Sequence, residues 1–247
     1  MELVVGVIGE IASNIVIEKL KDWFENLSQD ELLCYHTGVE GLKESLLKKI
    51  EIDIQTSVES TTWRQGGSTL VCAIIGENDT LVANIGDSRA YIVNGSDIKQ
   101  ISREDTEAKK NVLRRGIEDK ELERFDAESN VLVQCIGMDR EDLNHPFVTI
   151  LKNTDYDMLL LFSDGVTDCL SDEDIAVVCR NSNKKELAKK IVEKAMSHDS
   201  FLPEKYNDYS DLLQYIPGGK DNTSAIVSFS KENDDDRWIW RKIIWKN

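Results

Sequence analysis

The chain has 247 residues, of which 40% are hydrophobic and 31% charged, and its 30 Lys and Arg stand against 46 Asp and Glu for a formal net charge of −16. That length and apolar content provide for one folded domain with a substantial core and exclude wholesale disorder. The negative surplus argues against a nucleic-acid-binding protein or a polybasic membrane module, both of which need a cationic face, while leaving room for carboxylates that hold hard metal ions.

Ile11, Ile15, Val16, Leu20, Trp23, Phe24 and Leu27 recur at three- and four-residue steps and predict an amphipathic helix with Glu10 at its start. Leu42, Leu46, Ile50 and Ile54 predict a second. Residues 69–75, 80–85 and 89–93 are β-branched runs divided by Gly/Asn/Asp turns, which predicts an antiparallel meander. Residues 103–129 are charged and poorly periodic, the pattern of a partly helical surface excursion. Strands are expected at 131–136, 147–151 and 158–162. Helices follow at 172–179, N-capped by Ser171, and at 184–196. Residues 197–217 look like a loop and 224–230 like a final strand. Strands that come in runs favour α+β layers over a doubly wound sheet.

The expected organisation is one domain over 1–230 and a charged tail over 231–247. Residues 237–247 hold Arg237, Arg241, Lys242 and Lys246, no acid, and Trp238, Trp240 and Trp245. Such a segment suits docking on its own acidic body, on a partner or on a membrane surface, and the residues leave all three open. Cys34, Cys72, Cys135, Cys169 and Cys179 are odd in number with no CxxC pair, which fits reduced thiols in a cytoplasmic protein. The apolar residues 3–9 follow Glu2 rather than a basic stretch, unlike a signal peptide. The longest aliphatic and aromatic run, 158–162, is far too short for a transmembrane segment.

Three aspartate-bearing turns carry the chemistry: Gly86-Asp87-Ser88-Arg89, Ser163-Asp164-Gly165-Val166-Thr167-Asp168 and Gly219-Lys220-Asp221-Asn222. A carboxylate at a strand end is held by the rigid sheet yet can face a cleft, and a neighbouring glycine permits close backbone approach. Several such groups converging form an all-oxygen site suited to Mg²⁺ or Mn²⁺, whereas each alone is an ordinary turn. His36, His145 and His198 have no metal spacing. Ser68 and Ser163 belong to no Ser–His–Asp arrangement, so no residue is assigned as a catalytic nucleophile. Arg89 is expected to pair with a local carboxylate.

In order along the chain, Gly9-Glu10-Ile11-Ala12-Ser13, Gly66-Gly67-Ser68-Thr69-Leu70, Asn84-Ile85-Gly86-Asp87-Ser88-Arg89-Ala90-Tyr91, Ile136-Gly137, the Asp164 turn and Gly219-Lys220-Asp221-Asn222-Thr223-Ser224 are present. This ordered set resembles the protein phosphatase 2C-like (metal-dependent Ser/Thr protein phosphatase) family over roughly residues 9–230. The resemblance implies an αββα sandwich, two antiparallel sheets flanked by helices. It implies Asp164 and Asp221 as ligands of a catalytic Mg²⁺ or Mn²⁺ pair, and Asp87, with Asp164, as holder of a third, weaker ion. Hydrolysis would proceed by metal-activated water without a covalent intermediate, on a phosphoprotein substrate.

Family members also carry, upstream of the segment matched by residues 9–13, strands with a phosphate-binding Arg and a turn whose Asp bridges both metals. This chain has no Asp before Asp22, and Glu2 and Glu10 are the nearest acids. The expectation is therefore a domain with its first strands missing and its activity impaired. Two functions stay open: a metal-dependent phosphatase acting on phosphoserine and phosphothreonine, and a pseudophosphatase domain that binds a phosphoprotein or signalling partner without turnover.

Overall fold

The computed structural model describes residues 2–63, 65–116, 119–137, 145–206 and 212–230; the expected tail, 231–247, lies outside them. The chain forms two compact units, Met1–Ser88 with Ser102–Asp105 and Leu132–Lys152, and Arg89–Ile101 with Thr106–Val131 and Asn153–Asn247. Each holds one main antiparallel sheet and its own helices, the second adding a two-stranded ladder, which gives the expected α+β fold of two antiparallel sheets flanked by helices.

The first unit opens with α1 (Glu2–Glu25) and α2 (Gln29–Thr37). A 3-10 turn (Val39–Leu42), α3 (Lys43–Lys48), a π-helical stretch (Lys49–Ile54) and α4 (Gln55–Thr62) then run on from one another. Its sheet begins with β1 (Leu70–Ile75) and β2 (Asp79–Ile85). The apolar residues Leu42, Leu46, Ile50, Ile54 and Val58 repeat at every fourth position, and all five are fully buried. An α-helix turns about 400° in four residues, so such a stripe drifts by about 40° per step. The wider turn of the π-helical stretch rotates it back, keeping one face against the core with Ala12, Val16, Leu70, Leu81 and Ile85. Each of the buried Leu, Ile and Val side chains among these contributes on the order of 2 kcal/mol of burial.

The second unit starts at β3 (Arg89–Asn94) and β4 (Asp97–Gln100), followed by α5 (Glu107–Arg114) and α6 (Lys120–Phe125). Further along, β5 (Phe147–Lys152) completes the first sheet in the order β1-β2-β5. The chain then gives β6 (Met158–Phe162), the helical turn α7 (Asp164–Thr167), α8 (Asp172–Asn181), α9 (Leu187–Ser197), a short hairpin of β7 (Ser200–Phe201) and β8 (Tyr215–Ile216), and β9 (Ala225–Phe229). The second sheet has the order β4-β3-β6-β9, all antiparallel. Its core gathers Tyr91, Leu160 and Phe162 from the sheet with Phe125, Val166, Ile175 and Ile191 from the helices.

Several expectations need correction. The predicted meander breaks after β2, because β5 occupies the other edge of that strand and β3 pairs with β4 and β6 instead. Residues 131–136 form no strand: Val133 donates to Asp105 O and Val131 to Glu128 O, and Ile136 makes an isolated bridge with Ser68. Residues 103–129 are no surface excursion, since α5 and α6 bury Ala108, Val112, Leu122 and Phe125. Glu10 sits within α1 rather than at its start. The helix α2 gave no apolar period because Leu32 and Leu33 are exposed; a Ser28–Glu31 capping box starts it.

The cap foreseen at Ser171 is present: Ser171 Oγ accepts from Asp174 N at 3.1 Å, and Asp174 Oδ2 accepts from Ser171 N at 3.0 Å. Ser171→Ala is expected to lower stability by about 1 kcal/mol, read as a fall in the urea midpoint at unchanged m-value.

Candidate metal centre

The register of two strands builds the centre. β6 and β9 pair up to Phe162 opposite Ala225, so the residues leaving one strand lie beside those entering the other. Ser163 N donates to Ser224 O at 3.2 Å, and Ser224 N donates to Ser163 Oγ at 2.9 Å. Ser163 Oγ donates to Asn222 O at 3.2 Å. A Cβ on Gly165 would stand 2.5 Å from Asn222 O, so only glycine lets the two turns come this close. Asp164 and Asp221, remote in sequence, are thereby brought together.

Their backbones orient both carboxylates. Asp164 Oδ1 accepts from Gly165 N at 2.8 Å, and Asp221 Oδ1 accepts from Asn222 N at 2.6 Å. Burial, and then the Asp221 charge, hold the Asp164 carboxyl above the usual carboxylate range, against the Gly165 N–H and the Lys220 charge. A third acid joins them. Asp168 follows one helical turn after Asp164, its N–H donating to Asp164 O at 2.7 Å. Burial, with the neighbouring Asp164 charge, pushes its carboxyl up to about 6, opposed by Lys220 and Arg89. Sequence reasoning quoted Asp168 without assigning it; its four-residue spacing from Asp164, which puts both on one helix face, was the available signal.

Asn130 and Lys220 close one side of this group. With its amide oxygen turned to Lys220, Asn130 accepts from Nζ at 3.1 Å and donates to Asp168 Oδ2 at 3.1 Å. Arg89, 6% exposed, donates through Nη1 to Tyr91 Oη at 3.5 Å, and its charge acts on Asp168.

Asp87 belongs to the first unit, at the tight turn between β2 and β3. Gly86, at φ +98°, donates to Asp105 Oδ2 at 3.1 Å, and a Cβ there would meet Thr69 Cγ2 at 2.5 Å. Ser88 Oγ lies 2.9 Å from Thr69 Oγ1. His145 Nδ1 is 2.5 Å from Glu51 Oε1, and His198 Nε2 is 3.8 Å from Asp174 Oδ2. A groove of about 450 Å³ between α1 and α4, lined by Ile15, Glu18, Lys19, Asp22 and Ser57, carries none of these acids.

Burial first, and neighbouring charge second, disfavour the ionised forms of Asp164 and Asp168, and a divalent ion beside them would offset that. Among the described residues, however, no three His, Cys, Asp or Glu side chains converge to enclose one ion. This donor set fits a hard, hydrated divalent ion held by one or two carboxylates with water in its remaining positions, rather than a closed cage.

A family model described as Protein phosphatase 2C matches residues 5–196. The serine/threonine phosphatase stp of Listeria welshimeri is 27% identical over 221 residues, 89% of this chain and 78% of that protein. The serine/threonine protein phosphatase PstP of Mycobacterium tuberculosis is 25% identical over 230 residues, 93% of this chain and 42% of that protein. Among solved structures, the serine/threonine phosphatase Stp1 from Staphylococcus aureus superposes with a TM-score of 0.67 at 23% identity, covering 91% of this chain and 78% of that one. The catalytic domain of PstP in complex with two manganese ions gives 0.61 at 21% identity, covering 88% and 80%. At these identities the structural likeness speaks for the fold alone.

Two outcomes are expected of the centre itself. Gly165→Ala destabilises by about 2 kcal/mol, since a backbone carbonyl rather than a flexible side chain must give way; chemical denaturation reads this. Asp168 favours its protonated form when folded, so its contribution to stability is full below about pH 4 and lost as pH rises through about 6. In EDTA, Asp168→Asn is therefore expected to stabilise the protein by about 1–2 kcal/mol at pH 7 and to flatten the decline between pH 4 and 6 in thermal melts.

Proposed function

We propose, because this chain belongs to the protein phosphatase 2C family, that it is a divalent-metal-dependent hydrolase of phosphoserine and phosphothreonine in proteins. The observation that carries the proposal is the convergence of Asp164 and Asp221 across the β6–β9 register, with Asp168 beside them. A divalent pair, when bound, supplies an activated water and neutralises phosphate charge. The chain's own part is to hold donors still: the Gly165 and Asn222 N–H groups fix one oxygen each of Asp164 and Asp221, and Asn130 fixes one of Asp168. We assign Asp87 to a weaker outer ion, on a turn that Thr69 and Asp105 keep rigid. Either Mg²⁺ or Mn²⁺ suits oxygen donors of this kind. The five free cysteines suit a reducing compartment, and the proposal places the protein in the cytoplasm.

One observation favours a second reading, a domain that binds phosphoprotein without turnover: no three potential ligands converge among the described residues. Assays with p-nitrophenyl phosphate and a phosphothreonine peptide in Mn²⁺ separate the two. The phosphatase reading expects turnover that vanishes in EDTA and falls at least about 100-fold in Asp164→Ala. Peptide binding with no Asp164-dependent turnover would select the second reading instead.

A further inference from the structure

We infer that Lys220 is a tethered counter-cation of the candidate centre, its ammonium steered by the Asn130 amide and competing with a divalent ion for the carboxylate of Asp168. This rests on the reading of Asp164, Asp168 and Asp221 as a divalent-ion site, and concerns what sets its affinity.

The base of Lys220 is fixed by the loop before it. Gly218 N donates to Asp199 Oδ1 at 3.0 Å, and Gly219 N to Ala195 O at 3.3 Å. A Cβ on Gly218 would sit 2.7 Å from His198 N, and Gly219 takes φ +67°, so this backbone lies tight against the end of α9. From that anchored position Nζ reaches the Asn130 oxygen at 3.1 Å, while the Asn130 nitrogen reaches Asp168 Oδ2 at 3.1 Å. The reverse orientation of the amide would set its oxygen against a carboxylate and its NH₂ against an ammonium. The two charged neighbours therefore dictate how Asn130 points.

Held one amide away, the ammonium offsets the acid's charge without bonding the carboxylate itself, and in this reading the divalent ion takes the carboxylate's other face. A divalent ion on that face brings two positive charges into the same few ångströms. The ion and the lysine then repel each other. Ion binding and residence of Lys220 at Asn130 oppose each other, and the affinity of the centre is set by their balance.

The test is Mn²⁺ binding to the full chain at low salt, followed by loss of the free-ion electron paramagnetic resonance signal. Lys220→Gln is expected to tighten the Kd about fivefold, the size of shift that removing one nearby charge produces. Asn130→Ala should tighten it in the same sense, and the double variant should bind no more tightly than Lys220→Gln alone. Lys189→Gln, on the exposed side of α9, controls for net charge and should leave the Kd unchanged; circular dichroism checks that each variant is folded. An unchanged or weaker Kd in Lys220→Gln overturns the inference, as does full additivity in the double variant. If wild type binds Mn²⁺ and Asp164→Asn does not, the metal reading stands whatever Lys220 does. If neither wild type nor Lys220→Gln takes up the ion, both fall.

Discussion

Two backbones approach so closely at Gly165 and Asn222 that a methyl group between them would stand 2.5 Å from a carbonyl oxygen. The contact follows from the pairing of β6 with β9, which ends in register at Phe162 and Ala225 and delivers Asp164 and Asp221 to the same end of the sheet. Nothing local to either turn would bring them together; the ladder of hydrogen bonds does. Ser163 then bonds across to Ser224 and Asn222 through its N–H and its short hydroxyl, so the two turns that carry the carboxylates are tied together close to the main chain. Donors on such a base lose little freedom when a ligand arrives.

Charge within the second unit is handled in two ways. Buried ionic groups are matched only in part: Lys109 pairs with Glu123 at 2.6 Å, and Arg124, 7% exposed, pairs with Glu121 and donates to Asp168 O, Cys169 O and Ser200 Oγ, while Arg124 Nε and Asp126 Oδ2 are buried with no hydrogen-bond partner among the described residues. At the centre, burial and the charges of neighbouring acids displace the protonation equilibria of Asp164 and Asp168 upward. Burial of Asp164 and Asp168 thus works against their charged forms, a pattern that fits a site adapted to a ligand more than to the bare fold.

How much of this was legible in the sequence depended on whether a residue's neighbours were local. The stripe from Leu42 to Ile54, the strands around Leu81 and Leu160 and the cap at Ser171 were all readable, because periodicity and capping are short-range. The break between β2 and β3 was not, since it depends on β5 claiming an edge of β2 from a distant part of the chain. Val131 and Val133 imitate a strand, yet their N–H groups are taken by Glu128 and Asp105. Asp164 and Asp221 stood out through their glycine-bearing turns and the family resemblance. Asp168 was passed over because its partners, Asn130 and Lys220, come from two remote segments.

The way the chain is shared between the units limits how this protein can be rearranged by descent. It passes from one unit to the other after Ser88, Ile101, Asp105, Val131 and Lys152, so no single cut releases either unit whole. A recombination breakpoint anywhere between the first and last of these passages would join part of one sheet or its helices to a foreign remainder. Neither half can therefore travel between genes as a cassette. New partners and controls would be acquired by growth at the ends or in loops, with the interlaced middle inherited as one piece.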